Sequence, residues 1–108
     1  MRRLRPILVL IVAVLLGSIG VSWSADFQRG KDAYNQQDYA TALREWKPLA
    51  EQGPARAQHN LGVMYNEGKG VPQNDKTAVK WYRLSAEQRD ARAQENLEKL
   101  LKPWWKFW

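Results

Sequence analysis

The sequence predicts an all-α protein built from stacked helical repeats, and three observations support this prediction. Segment 41–61 recurs 36 residues later as segment 77–97, with eleven of the 21 positions identical. A fixed period of this size is typical of solenoids made of repeated helical hairpins. No segment after Phe27 alternates apolar and β-branched residues in the manner of a strand. Gly and Pro residues also fall between the periodic segments, where helices end and begin.

The first helix is predicted over 25–36, where apolar and small residues recur every three or four positions. Asp38 is placed to cap a second helix that starts near Tyr39 and ends before Gly53. Pro48 lies inside this second helix and cannot donate to the carbonyl four residues earlier. We therefore expect a kink at Pro48, and not a break.

The second half of the chain predicts three more helices. A third helix is expected over 55–67, and segment 68–75 is the one obvious loop. Asn74 is a plausible N-cap for the fourth helix, and Asp90 caps a fifth helix that Pro103 stops. The residues of the third helix expected to face inward are Ala57, Leu61, Met64 and Tyr65.

Residues 1–24 predict a secretory signal peptide. Three arginines precede the apolar stretch 7–16, and small residues at Ser22 and Ser24 favour cleavage after Ser24. An uncleaved anchor is the alternative, although the apolar segment is shorter than the roughly 20 residues that span a bilayer. We therefore expect an exported protein, periplasmic or secreted, with membrane association left open.

Composition limits what the exported chain can be. A chain of 108 residues has room for one domain at most. The absence of cysteine excludes disulfides, thiolate metal sites and cysteine nucleophiles, so the fold must rest on packing. The full chain has 17 basic and 11 acidic residues, but without the three arginines of the signal peptide the balance is 14 to 11. The signal peptide therefore supplies half of the net charge of +6.

Small, aromatic and glycine residues between positions 57 and 86 carry a specific pattern. This pattern resembles the Sel-one-like repeat (SLR), a branch of the tetratricopeptide (TPR) superfamily. The resemblance implies a short right-handed solenoid of antiparallel αα-hairpins over residues 25–101, with about five helices, no enzymatic activity, and a protein or peptide partner in the bacterial envelope. The motif residues are Ala57, Leu61, Gly62, Tyr65, Gly68, Gly70, Ala78, Trp81, Tyr82 and Ala86.

The flanking units depart from this pattern. Gly30 and Ala42 are 12 residues apart, four fewer than the corresponding pair in the next unit, so the first hairpin has a shorter TPR-like turn. In the third unit Arg89 and Glu98 stand where the preceding unit has glycine, and no partner helix follows. The third unit is therefore predicted to act as a terminal cap.

No catalytic, cofactor or metal site is predicted. His59 is the single histidine and the chain has no cysteine, so we expect His59 to be a surface residue. Segment 68–70, Gly-Lys-Gly, is not a phosphate loop, because neither the preceding strand nor the Gly-Lys-Ser/Thr ending is present. Its glycines are expected to turn the chain with positive φ. We expect no small-molecule substrate.

The first helix of each hairpin is expected to contribute to a concave surface that presents a polar, mildly basic groove to a peptide. The repeated Arg-Ala-Gln triplet in that surface has a second interpretation, in which it serves helix packing. The candidate binding residues are Tyr34, Arg56, Asn60, Arg92 and Gln94, with Gln58 beside them.

The tail 102–108 combines four aromatic residues with two lysines. Three interpretations remain open: Trp104, Trp105 and Trp108 cover the exposed end of the solenoid, dock into a partner, or sit at a lipid interface, which indole rings and lysines favour. Nucleic acid is not an expected partner, because export separates the protein from it. Self-association of the short solenoid is also left open.

Overall fold

The computed structural model describes residues 26–102, and this part of the chain consists of helices and their connections, without strands. The predicted all-α class and the predicted order of elements are confirmed. The helices within it are α1 (26–35), α2 (Tyr39–Gln52), α3 (Ala55–Glu67), α4 (Asp75–Glu87) and α5 (Ala91–Leu101).

Three helices begin at the side chains that the sequence predicts as caps. Asp38 accepts a hydrogen bond from the Thr41 amide at 3.2 Å, and Asn74 accepts one from the Thr77 amide at 3.1 Å. Asp90 accepts from the amides of the second and third residues of α5. These side chains satisfy amides that have no partner inside the first turn of a helix.

The turns between helices use left-handed backbone. Gly68 has φ of +68° and Gly70 has φ of +74°, which confirms the predicted role of these glycines. Arg89 adopts φ of +68° at the position where the preceding unit has Gly53. A side chain in this region costs roughly 1–2 kcal/mol, so the turn at Arg89 carries an energetic cost that glycine would avoid.

Two glycines allow successive helices to approach closely. A Cβ atom added at Gly30 would lie 2.2 Å from Nε1 of Trp46, and one added at Gly62 would lie 2.6 Å from the ring of Tyr82. Any side chain at either position would overlap the indole or phenol ring. Trp46 of α2 and Tyr82 of α4 therefore each lie directly on the backbone of the preceding helix.

The core lies between helices that pack on one another in sequence order. α2 packs on α3, α3 on α4, and α4 on α5. The inward-facing residues predicted for α3 are buried, except that Tyr65 is half-buried, and α2 continues through Pro48. Fully or almost fully buried side chains form the centre: Ala42, Trp46, Leu49, Ala50, Ala57, Leu61, Met64, Ala78, Tyr82 and Ala93.

The predicted signal peptide 1–24 and the tryptophans of the tail, Trp104, Trp105 and Trp108, lie outside the described residues. In the described range, none of the helices has both the length and the apolar character needed to cross a membrane.

Candidate functional site

A groove of about 450 Å³ crosses α1, α3 and α5. Four residues of α1 and four residues of α3 contribute to it because in each helix they lie on one face over about two turns. The residues that line this groove are Phe27, Lys31, Tyr34, Asn35, Trp46, Arg56, His59, Asn60, Val63 and Arg92.

Aromatic rings form the floor of the groove. The rings of Phe27 and Trp46 are stacked with centroids 5.8 Å apart, and the ring of Tyr34 lies 5.6 Å from Trp46. The indole nitrogen of Trp46 donates to the Phe27 carbonyl at 3.1 Å, so its polar group is satisfied inside the protein. Burial raises the pKa of Tyr34, and its hydroxyl stays protonated. The floor is therefore apolar and held by packing.

Cationic side chains stand above this floor. The guanidinium carbon of Arg56 lies 4.1 Å from the centroid of the Phe27 ring, a cation–π contact. Arg92 pairs with Asp90 at 3.0 Å, yet its side chain is 60% exposed. Lys31 is exposed on α1. Among the described residues that line the groove none is acidic, so the groove is positively charged.

The Asp90 carboxylate is already committed to the start of α5. Burial opposes its ionisation, but hydrogen bonds from the Arg92 side chain and from the Ala93 amide outweigh this effect and lower the pKa of Asp90. The side chain of Asp90 is only 11% exposed. It holds Arg92 at the edge of the groove while presenting little of its own charge there.

His59 is buried, so its prediction as a surface residue is wrong. Its Nε2 accepts a hydrogen bond from Asn96 Nδ2 at 3.2 Å, and its Nδ1 pairs with Asn60 Oδ1 at 3.2 Å. A neutral imidazole with its proton on Nδ1 satisfies both bonds. Burial lowers the pKa of His59, against the opposing effect of the bond with Asn60. His59 links α3 to α5 beneath the groove.

The position of His59 in the repeat explains its burial. It precedes Gly62 by three residues, just as Phe27 precedes Gly30. The His59 ring lies 5.8 Å from the ring of Tyr82, the same separation as between Phe27 and Trp46. His59 therefore occupies the same place in α3 as Phe27 does in α1. At this place a ring packs against an aromatic residue of the next helix.

Four of the predicted binding residues come together in the groove: Tyr34, Arg56, Asn60 and Arg92. Gln94 lies outside it, because its amide nitrogen donates to the Ala86 carbonyl at 3.3 Å. Gln58 makes the equivalent bond to the Ala50 carbonyl at 3.1 Å. The glutamine of the Arg-Ala-Gln triplet therefore joins each helix to the preceding one, while the arginine faces the groove.

Phe27, Trp46 and His59 were not predicted as binding residues, and sequence reasoning also missed the exposed or half-buried groove residues Lys31, Asn35 and Val63. The signal for these last three is the helical face itself: Lys31 and Asn35 lie one and two turns after Phe27, and Val63 lies two turns after Arg56. Extending each predicted binding residue along its own face would have identified them.

The opposite surface, on α2 and α4, carries two shallow hollows of about 380 and 360 Å³. Each residue of the first hollow has its counterpart in the second, 36 positions later. We call these two depressions the outer hollows. Their corresponding lining residues are Ala40/Lys76, Leu43/Val79, Arg44/Lys80, Lys47/Arg83, Pro48/Leu84 and Glu51/Glu87.

The described part of the chain contains no group of three or more His, Cys, Asp or Glu placed to hold a metal ion. Every buried side-chain nitrogen or oxygen there has a hydrogen-bond partner. The groove thus offers apolar contact, amide hydrogen bonding and positive charge, which are means of recognition.

The family model of the Sel1 repeat matches residues 55–90. The chain carries a Sel1 repeat. In this structure the repeat consists of α3, the loop with Gly68 and Gly70, and α4. Sel1 repeats generally mediate protein–protein interaction, and proteins of this family are typically non-catalytic. No curated protein matches the chain.

The loop of the Sel1 repeat is fastened to the preceding hairpin. A Cβ atom at Gly70 would lie 3.0 Å from Tyr39, at the start of α2. Lys69 donates to the Tyr39 hydroxyl at 3.3 Å, which raises the pKa of Lys69. The ring of Tyr39 in turn lies 5.2 Å from Tyr34. Through Tyr39, the loop therefore packs against Tyr34 in the aromatic floor of the groove.

Proposed function

We propose that this protein is an exported, non-enzymatic adaptor or scaffold of the bacterial envelope that holds another protein through the groove. One observation carries the proposal: a Sel1 repeat and its flanking helices build a positively charged groove over an aromatic floor. Aromatic residues and arginine are enriched at the surfaces by which proteins bind one another.

The groove is favoured over the outer hollows because its residues combine anchors typical of interfaces. Tyr, Trp and Arg dominate the binding energy of protein interfaces. Tyr34, Arg56 and Arg92 line the groove, above Trp46, which is only 3% exposed and belongs to its floor. The outer hollows are shallow and each contains a glutamate beside its basic residues, as is usual for a solvated helix surface.

A capture experiment with matched variants tests the binding role. The exported protein is immobilised in three forms: wild type, Arg56→Gln/Arg92→Gln in the groove, and Lys47→Gln/Arg83→Gln in the outer hollows. Both double variants lose two positive charges. We expect a discrete envelope protein to be retained by the wild type and the outer variant and lost from the groove variant. Equal capture by all three forms would argue against the groove as the binding surface.

Export is tested separately from binding. The basic and apolar segments of residues 1–24 support cleavage after Ser24. Amino-terminal sequencing of the protein from cells that express the full chain should then begin at Ala25. A chain that retains Met1 and stays in the membrane fraction would instead support the uncleaved anchor.

A second candidate function rests on the tail. The aromatic and lysine content of residues 102–108 suits the interface of an anionic membrane. On this proposal, sedimentation with liposomes containing anionic lipid decreases when Trp104, Trp105 and Trp108 are replaced by alanine. Unchanged sedimentation would eliminate it.

A further inference from the structure

We propose that the groove takes an acidic segment of a protein in which an Asp or Glu stands close to a large apolar side chain. This inference rests on the proposed function, because it names the chemistry of the partner that the groove would hold. It is carried by three features: the charge of the groove, the way its arginines are held, and the aromatic floor between them.

The charged residues that line the groove are all basic. Lys31, Arg56 and Arg92 line it, and the described lining residues include no Asp or Glu. The outer hollows, by contrast, contain Glu51 and Glu87. On α5, next to the groove, the exposed Glu95 is paired with Lys99 at 3.1 Å. Arg92 is partly neutralised by Asp90, but Lys31 and Arg56 add positive charge to the groove, and an acidic ligand is the complementary one.

The guanidinium of Arg56 is placed to bind a carboxylate. Its guanidinium carbon lies 4.1 Å from the centroid of the Phe27 ring, and Arg56 is exposed. A guanidinium carries five N–H donors, so this ring contact leaves donors for a ligand. A carboxylate in the groove can accept two of them in parallel, which is the strongest geometry for such a pair.

Arg92 retains donors for a ligand although it pairs with Asp90. The bonds to Asp90 come from Nε and Nη2, on one edge of the guanidinium. The other edge carries Nη1, and the side chain is 60% exposed. A second anion near Arg92 would therefore be stabilised.

The floor supplies the apolar part of the specificity. Tyr34 and Val63 are half-buried in the groove, and the groove volume of about 450 Å³ falls in the range of pockets that hold a ligand. The Asn60 oxygen is held by His59, so its amide nitrogen is the part of the side chain that can donate to a peptide carbonyl. A large apolar side chain fits the floor while its acidic neighbour reaches the arginines.

The test uses a displayed library of random dodecapeptides, selected against the exported protein. Three forms are compared: wild type, Arg56→Glu/Arg92→Glu, and Lys47→Glu/Arg83→Glu. We expect the wild type and the outer variant to enrich peptides with Asp or Glu next to Phe, Trp, Tyr or Leu. The groove variant should lose these peptides and enrich basic ones. Circular dichroism confirms that each form is helical.

Affinities of an enriched peptide then give the size of the effect. By fluorescence anisotropy, Arg56→Gln/Arg92→Gln should weaken binding by about tenfold or more, and Lys47→Gln/Arg83→Gln by less than about twofold. Raising the salt concentration should weaken binding to the wild type more than to the groove variant.

Two further outcomes separate this inference from the proposed function. Enriched peptides that depend on the groove but carry no excess of acidic residues would overturn the inference and leave the groove as a binding surface. A selection with no enrichment that depends on the groove would overturn both.

Discussion

The two faces of this small solenoid use the 36-residue repeat in different ways. On the outer face, each residue of the α2 hollow has a counterpart at the same position of the α4 hollow, and most pairs keep their chemical type. Most residues of the groove face have no such counterpart of the same chemical type in the next unit. Lys31 and Val63, which occupy equivalent places after Gly30 and Gly62, differ in both charge and polarity.

This difference distinguishes the residues that pack the helices together from the residues that line the groove. Residues that recur at the repeat period make the contacts by which one helix packs on the next, such as the glutamine bonds of Gln58 and Gln94. The groove is lined mainly by residues in which the units differ, and the exceptions are Asn60 and the pair Arg56 and Arg92. The surface that is particular to this chain is therefore the groove.

The largest expected effect is the loss of a scaffold contact. In Gly62→Ala, the added Cβ would lie 2.6 Å from the Tyr82 ring, and α3 and α4 would have to separate. We expect a loss of about 2–3 kcal/mol in the free energy of unfolding, measured by urea denaturation. Glu98→Ala provides the control, because Glu98 is exposed at the equivalent position of α5. Equal loss in both variants would contradict the assignment of Gly62 to close helix packing.

The repeated glutamine bond should matter more in one unit than in the other. Gln58 is buried and also accepts a hydrogen bond from Gln88 at 2.9 Å, whereas Gln94 is exposed. Gln58→Leu leaves the Ala50 carbonyl without this donor and should cost about 1–2 kcal/mol. Gln94→Leu should change stability by less than about 0.5 kcal/mol. The same denaturation series measures both, and a larger loss for Gln94→Leu would reverse this ranking.

The sequence predicted the helices well because their boundaries are set by local chemistry. Asp38, Asn74 and Asp90 each act on amides within three residues of themselves, so a reading along the chain detects them. The left-handed glycines of the Sel1 loop are equally local.

The site was only partly predictable because it depends on contacts between helices. The environment of His59 is made by Asn96 and Tyr82, which lie 37 and 23 positions further along the chain. The outward position of Arg56 and the packing role of Gln94 are likewise decided by neighbouring helices. A single sequence shows the residue types at these positions but not which neighbours they meet.

His59 should make the stability of the fold depend on pH. Its pKa in the folded protein is below the ordinary value near 6.5, so the unfolded chain binds the proton more readily. Stability is therefore full above about pH 7 and falls as the pH drops through the ordinary histidine pKa. Thermal melts from pH 8 to 5 should show the midpoint decreasing toward acid.

The matched variant for this effect is His59→Gln, which keeps a hydrogen-bonding side chain without a titrating group. Its melting temperature should vary less between pH 8 and 5 than that of the wild type. The carboxylates with lowered pKa values, Asp38 and Asp90, lose their contribution only in more acidic solution. An unchanged pH slope in His59→Gln would show that another group controls the transition.

The smallest effect is expected on the outer face. Lys47→Gln/Arg83→Gln removes one exposed cation from each outer hollow, and stability should stay within about 0.5 kcal/mol of the wild type. Chemical denaturation measures this directly. A loss above about 1 kcal/mol would mean that these residues belong to the scaffold and cannot serve as matched controls for the groove.

The most direct test of the groove as the binding face is site-specific photo-crosslinking in envelope extracts. A photoreactive amino acid replaces Asn35, which is exposed in the groove, or Lys47, which is exposed in an outer hollow. We predict a crosslinked protein from position 35, suppressed by Arg56→Gln/Arg92→Gln, and none from position 47. The same crosslinked protein from position 47 with none from position 35 would contradict the assignment of binding to the groove.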